Sequence, residues 1–398
     1  MAEIKSEWMA GDRESKTFSG PSTNLTLPRH QAGHSIIGAG TSANGCSPMK
    51  GNTIIVLGAG ASRGVSYQAE IGFPSFLDRD FFDLLQRLDP KQQDRESVDK
   101  VCQWARDLSS EYWRSMERSF YTLHLQSYIA EKIAGTKERV RDSEIVTCFV
   151  NSIGALLRQA HGTKTCKWHR ELFEHLCIED AIITFNYDLV PERALKEIDR
   201  VSRAKFGPWL YGFAAHPRDW QSPVLLKLHG SFNWNLPKEN EDVFTVRTKN
   251  WSRFKEVPGF PRFKNPGTKF PIFLPFWDKR IEEEPWRRLW GRAYQILKTA
   301  ETLIVWGYSL PATDIKARQL FELALRDRQV NLCVIDRSTA TRDRWRMLLP
   351  DARYWEFTGI QQFFRQPPEW WAHEPLDRGK KGMPGSESLS RSNKMGSG

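Results

Sequence analysis

The sequence predicts a doubly wound α/β protein, and three observations carry that reading. Short apolar runs recur at 53–57 (TIIVL), 181–185 (AIITF), 224–228 (VLLKL), 302–306 (TLIVW) and 330–335 (VNLCVI), with a weaker one near 353–357. Helical patterns separate most of them. Glycine-rich or polar clusters stand directly after the first five. Apolar runs of this length fit strands buried on both faces, and their alternation with helices implies a parallel sheet covered on both sides.

The elements follow in order along the chain. Residues 1–48 are rich in Ser, Gly, Thr and Pro without periodicity and read as a flexible leader ahead of the first strand. After that strand, helical patterns at 78–88, 106–134 and 144–160 succeed one another with no strand between. They predict an all-helical insertion over about 90–165. Trp113, Phe120, Leu123 and Ile129 fall at spacings that share one face, which reads as core rather than as a ligand box.

Alternation then resumes. A helix is expected over Asp188–Ile198 with Pro191 in its first turn. Residues 235–285, rich in Pro, Phe, Trp and Lys, read as a small loop-rich cap. Further helices are expected at 285–299, 312–326 and 337–348. The stretch 378–398 is a second low-complexity end, leaving one domain over 49–377.

Composition narrows the class. With 40% hydrophobic and 12% aromatic residues, the chain has material for a sizeable core. No apolar run approaches the roughly 18 residues that span a bilayer, and the first residues lack the apolar centre of a secretory signal. The reading is a soluble, cytoplasmic protein without a membrane partner. The six cysteines form no C-x-x-C pair, which argues against a disulfide framework and a zinc ribbon and predicts no metal. The net charge of +10 fits nucleic acid, an acidic partner or an anionic dinucleotide. Its spread along the chain favours an ordinary basic surface, so direct nucleic-acid binding has no specific support.

Five strand exits carry the chemistry. Gly58-Ala59-Gly60-Ala61-Ser62 follows the first strand, where glycine lets backbone approach a pyrophosphate and free N–H groups bind its oxygens. The fingerprint is imperfect, because Arg63 stands where a third glycine belongs. A similar string at Gly38–Ser42 has no strand or helix around it and is set aside. Asn186-Tyr187-Asp188 follows the second strand. Asn186 offers donor and acceptor to a sugar hydroxyl or a water, while the plainer reading has Asp188 capping the next helix. His229, within Lys227-Leu228-His229-Gly230-Ser231, suits general-base work near neutral pH. Gly307-Tyr308-Ser309-Leu310-Pro311, with Asp314 opening the next helix, follows the fourth strand. Asp336 closes the fifth, where a carboxylate can accept from a ribose diol.

In this order and spacing the clusters resemble the sirtuin-like domain family, in particular its divergent bacterial branch that hydrolyses NAD in antiphage defence. The matching strings are GAGAS at 58–62, GFPSF at 72–76, TFNYD at 184–188, KLHGS at 227–231 and GYSLP at 307–311. The resemblance implies a Rossmann-like sheet. It implies that Gly58, Ala59, Gly60 and Ser62 hold phosphates and that Phe76 covers the nicotinamide. Asn186 and Asp188 would meet the ribose and carboxamide, His229 would be the base, and Gly307, Ser309 and Asp336 would line the adenosine side. NAD would be the substrate, cleaved to nicotinamide and ADP-ribose. Control through a homo-oligomer or a partner protein is also implied.

Protein-deacylating relatives carry an acidic–Phe–Arg run where this chain has Ser75-Phe76-Leu77, and a four-cysteine zinc module that it lacks. Both departures favour NAD cleavage over deacylation. An NAD-dependent deacylase or ADP-ribosyltransferase, and a non-catalytic sensor of NAD or ADP-ribose, remain the alternatives.

Overall fold

The computed structural model of the protein describes residues 52–89, 92–107, 114–132, 139–198, 209–213, 222–234, 272–273, 281–282 and 286–371. The leader, the Gly38–Ser42 string, the tail from 378, Trp113 and nearly all of the 235–285 cap lie outside these residues, as does the side chain of Ile129.

Six strands form one sheet: β1 (Asn52–Leu57), β2 (Ala181–Thr184), β3 (Val224–Lys227), β4 (Ala300–Trp306), β5 (Asn331–Ile335) and β6 (Arg353–Phe357). Their order is β3-β2-β1-β4-β5-β6, and every adjacent pair is parallel. The order reverses between β1 and β4, the switch point at which a doubly wound sheet opens a crevice beyond its strand ends. Ile55 lies opposite Ile182 on one side and Ile304 on the other. All three are fully buried, as parallel strands covered by helices require. Only the edge strand β6 departs, with Phe357 its one buried residue.

On either side of the sheet and in the insertion lie α1 (Ala59–Arg63), α2 (Gln68–Ile71), α3 (Phe81–Arg87), α4 (Gln92–Asp107), α5 (Met116–Lys132), α6 (Arg139–His161), α7 (Lys167–Glu174) and α8 (Val190–Lys196). The series continues with α9 (Trp286–Leu297), α10 (Ile315–Leu325), α11 (Thr339–Leu348) and α12 (Ile360–Arg365).

The helical insertion has a core of its own. Phe149 on α6 meets Phe81, Phe82, Trp104 and Phe120 at ring separations of 4.2 to 6.1 Å. Phe120 and Leu123 are buried there, so the aromatic face is packing, as expected. The same cluster takes in Phe73, Phe76, Tyr187 and Phe232, which ties the insertion to the strand exits.

Several elements differ from the sequence expectation. Helix α4 was not among the expected helical patterns, and within the pattern expected at 106–134 lies α5, Met116–Lys132. Helices α7 and α12 were not expected; at eight and six residues they are too short to show a full period. Helix α8 begins at Val190 rather than Asp188, because the Asp188 carboxylate turns back to accept from the Val190 amide at 2.9 Å. That is an Asx-type turn, whereas the helix cap itself falls at Leu189, without a side-chain bond, rather than at Asp188.

Candidate functional site

The loops leaving β1 and β4 meet at the switch point. Gly58 N–H donates to Trp306 O at 3.1 Å and Gly60 N–H to Gly307 O at 2.9 Å, while Ala61 N–H turns back to Gly58 O. A Cβ on Gly58 would stand 2.4 Å from Tyr308 Cα, and one on Gly60 2.8 Å from Gly307 Cα. Gly307 adopts φ +65°, and its Cβ would come within 2.2 Å of Ala61 N. The sequence reading gave these glycines to a pyrophosphate. In the structure their smallness is required first by each other, and three loop amides are bound within the protein.

Asn186 leaves β2 beside this junction. Its Nδ2 donates to Gly58 O at 2.8 Å and to Ser62 Oγ at 2.9 Å. Ser62 Oγ in turn donates to Asp188 Oδ2 at 2.6 Å. Asn186 is 8% exposed, whereas Ser62 and Asp188 are 1% and 2% exposed. Ser62, assigned to phosphate, and Asp188, assigned to the substrate, therefore act within the protein wall. Burial opposes ionisation of Asp188, but charge at His161 and Lys227, with the Ser62 and Val190 hydrogen bonds, holds its carboxyl below the usual carboxylate range. His161 is itself buried and pushed down to about 4. It is neutral at pH 7, so Lys227 and the hydrogen bonds carry the effect there.

Lys227 is wholly buried at the end of β3. Its ammonium donates to the Asp188 carbonyl and lies 3.0 Å from Glu192 Oε1. Tyr211 OH also donates to Glu192, Asn233 Nδ2 donates to Tyr211 OH at 2.7 Å, and Ser231 Oγ donates to Asn233 Oδ1. A continuous polar chain thus runs beneath the exits of β1, β2 and β3. Its partners supply the hydrogen bonds that make a buried lysine tolerable.

His229 stands just beyond, 9% exposed, with Nε2 3.0 Å from Asp314 Oδ2. Asp314 caps α10, where Oδ1 accepts from Ala317 N–H, and Oδ2 also accepts from Tyr308 OH at 2.9 Å. Phe185 presents its edge to the His229 ring at 5.0 Å and stacks on Tyr308 at 4.0 Å, while Tyr187 lies 6.4 Å from the imidazole. The residues on either side of Asn186 therefore both face His229. Burial, and then the charges of Glu117 and Asp314, push the Tyr187 phenol up; Tyr308 is raised by burial and Asp314. Both stay neutral.

The remaining assigned residues are more scattered. Phe76 is buried against Phe81 at 5.4 Å in the insertion core. Ala59 is exposed at the start of α1. Ser309 is half-buried, and its carbonyl accepts from Arg344 Nε at 2.8 Å. Asp336, half-buried beyond β5, accepts from Ser338 N–H at 2.7 Å, and burial raises its carboxyl. Sequence reasoning named Asp314 only as a helix start and did not pair it with His229. The signal for the cap was present, an Asp at the head of an apolar-periodic helix. The partner is 85 residues away in sequence, and no local pattern shows it.

Among the described residues, no group of three His, Cys, Asp or Glu side chains could hold a metal ion. Cys102, Cys148, Cys166, Cys177 and Cys333 form no disulfide among the described residues, and no described helix is long and apolar enough to cross a membrane.

Residues 180–347 match the family model described as a SIR2-like domain. Over that segment the chain is similar to a SIR2-like domain. That segment holds Asn186, Asp188, His229, Gly307, Asp314 and Asp336, while the GAGAS loop precedes it. Among solved structures the chain is similar to a Sir2 homologue in complex with NAD, at 16% identity and a TM-score of 0.39, over 78% of this chain and 86% of that one. It is also similar to a variant Sir2 homologue in complex with ADP-ribose, at 17% identity and a TM-score of 0.35, over 79% and 90%. A third is a Sir2 complex with a p53 peptide and NAD, at 15% identity and a TM-score of 0.34, over 79% and 90%. No sequence among the curated proteins matches the chain.

Proposed function

We propose that the SIR2-like domain binds NAD across the β1–β4 crevice and hydrolyses its nicotinamide–ribose bond, releasing nicotinamide and ADP-ribose. The observation that carries this reading is the His229–Asp314 pair at 3.0 Å, held beside Asn186 by Phe185 and Tyr187. A base oriented by a buried carboxylate next to an uncharged amide is the equipment for activating a hydroxyl or a water. Cleavage of a glycosidic bond passes through an oxocarbenium-like centre. The nicotinamide leaving group is already cationic and needs little acid assistance. Asn186 orients the attacking water, His229 accepts a proton from a sugar hydroxyl, and Asp314 holds the imidazole. Gly307, Ser309 and Asp336 line the adenosine side, the glycine loop that adjoins Gly307 meets the phosphates, and Phe76 stands toward the nicotinamide end. The resemblance to the NAD-hydrolysing branch supports a cytoplasmic role in antiphage defence by NAD depletion, restrained by self-assembly or a partner protein.

The test is nicotinamide release by the purified full-length chain, followed by chromatography with and without an acylated peptide. Release without peptide supports the hydrolase. Release only with peptide makes the protein a deacylase, and binding of NAD without release makes it a sensor.

A further inference from the structure

Both hydrogens of the Asn186 amide are committed, and the groups that take them fix which end of the amide is left. Gly58 O can only accept, so the atom 2.8 Å from it is the amide nitrogen. Ser62 has one hydroxyl proton and gives it to Asp188 Oδ2 at 2.6 Å. It therefore accepts the second Asn186 hydrogen, at 2.9 Å. Asp188 cannot swing away, because its other oxygen accepts from Val190 N–H and its carbonyl is bound by Lys227. Its carboxylate is an acceptor alone, so the direction of every bond in the chain is set. The order runs from Asn186 Nδ2 to Ser62 Oγ to Asp188 Oδ2.

We infer that Asp188 and Ser62 are positioning residues whose relay locks Asn186 with its carbonyl oxygen, and never its NH2, toward the ligand. The inference rests on the reading of the site as an NAD-cleaving centre. It gives that centre a definite polarity. The group that meets Asn186 must be a donor, a water or a ribose hydroxyl. The negative end of the amide dipole lies on the side where the sugar carbon becomes cationic, and a fixed dipole of that sign stabilises the developing charge without reorganisation. An anionic ligand atom would be repelled there.

Asp188→Asn is the test, because it keeps the shape and removes the obligatory acceptor. The Ser62 proton then has no fixed direction, and Asn186 can turn its NH2 outward. Nicotinamide release should fall at least tenfold in kcat, with the affinity for ADP-ribose, measured by calorimetry, within about twofold of the parent, and with the melting temperature recorded alongside. Unchanged kcat in a folded Asp188→Asn protein would overturn the relay.

A second readout needs no turnover. In protein labelled with 15N-asparagine, with Asn186→Ala used for assignment, the Asn186 NH2 should exchange slowly with water. It should keep that protection when ADP-ribose is added, and lose it in Ser62→Ala. Fast exchange in the parent, or a large shift of the NH2 signals on binding ADP-ribose, would overturn the inference. If the parent releases no nicotinamide, the hydrolase reading fails, and the NMR result alone decides the orientation of the amide.

Discussion

His229 Nε2 and Asp314 Oδ2 stand 3.0 Å apart, although β2 and β1 separate their strands in the sheet. The carboxylate belongs to the cap of α10, so the same group that starts a helix also holds the imidazole. Asp314→Asn keeps the cap, since either residue serves there. It removes the charge facing Nε2 and leaves the ring without a fixed orientation. The expected result is a fall in nicotinamide release of about tenfold or more, with ADP-ribose binding and melting temperature close to the parent. Parent-like turnover would leave the pair as structure only.

The glycines of the switch point supply a stability prediction. Gly307 and Gly72 both have positive φ, at +65° and +68°, yet they differ in surroundings. A Cβ on Gly72 meets nothing within 4 Å, whereas one on Gly307 would strike Ala61 N at 2.2 Å. Gly72→Ala should cost only the backbone strain, about 1 kcal/mol. Gly307→Ala must also part the two loops and should cost on the order of 3 kcal/mol or more. Denaturant midpoints of the two variants check the difference. Equal losses would mean that the loops separate easily.

Burial of a neutral histidine makes the protein acid-sensitive. His161 accepts or donates to Tyr67 OH at Nδ1 and Ser75 Oγ at Nε2, and burial lowers it from 6.5 to about 4. The unfolded chain therefore binds a proton between those values that the folded one refuses. Stability is full above pH 6.5 and falls as the pH drops toward 4, by up to about 1.4 kcal/mol per unit. Asp188, also depressed, adds loss in the same direction at the acid end. His161→Gln should flatten the decline between pH 6.5 and 4. Unfolding curves at pH 7, 5.5 and 4.5 would show it, and an unchanged slope would exclude His161 as the cause.

How far the site was legible depended on whether its cause was local. The strand positions could be read because burial on both faces leaves an uninterrupted apolar run, as in Ile54–Leu57 and Leu303–Val305. Helix α4 was harder. Its inward residues Val98, Val101, Cys102 and Ala105 keep helical spacing but sit among Gln, Asp, Glu, Arg and Lys. The strand-exit residues were singled out because ligands gather at that end of such sheets. What they touch was not. Ser62 and Asp188 read as ligand contacts, and in the structure they are hydrogen-bonded to each other, Ser62 also to Asn186, while Phe76 packs in the insertion core. The Ser62 contacts join segments more than a hundred residues apart, and no spacing rule encodes them.

The sharpest prediction concerns Asn186 and His229 together. If one orients the nucleophile and the other accepts the proton in a single step, each alone should be nearly as costly as both. Asn186→Ala and His229→Ala should each lower nicotinamide release by about a hundredfold, the scale of a positioned catalytic group. The double variant should fall little further, because groups acting in one step are not additive. Asn186→Ala also surrenders the bonds to Gly58 O and Ser62, so its melting temperature must be compared before its rate is read. His229→Ala removes no bond from the glycine loop and is the cleaner of the two. Both should still bind ADP-ribose by calorimetry, since the proposed adenosine contacts, Ser309 and Asp336, are left intact. A double variant whose loss is the product of the single losses would show that the residues act in separate steps, and turnover equal to the parent in folded His229→Ala would remove the base from the mechanism.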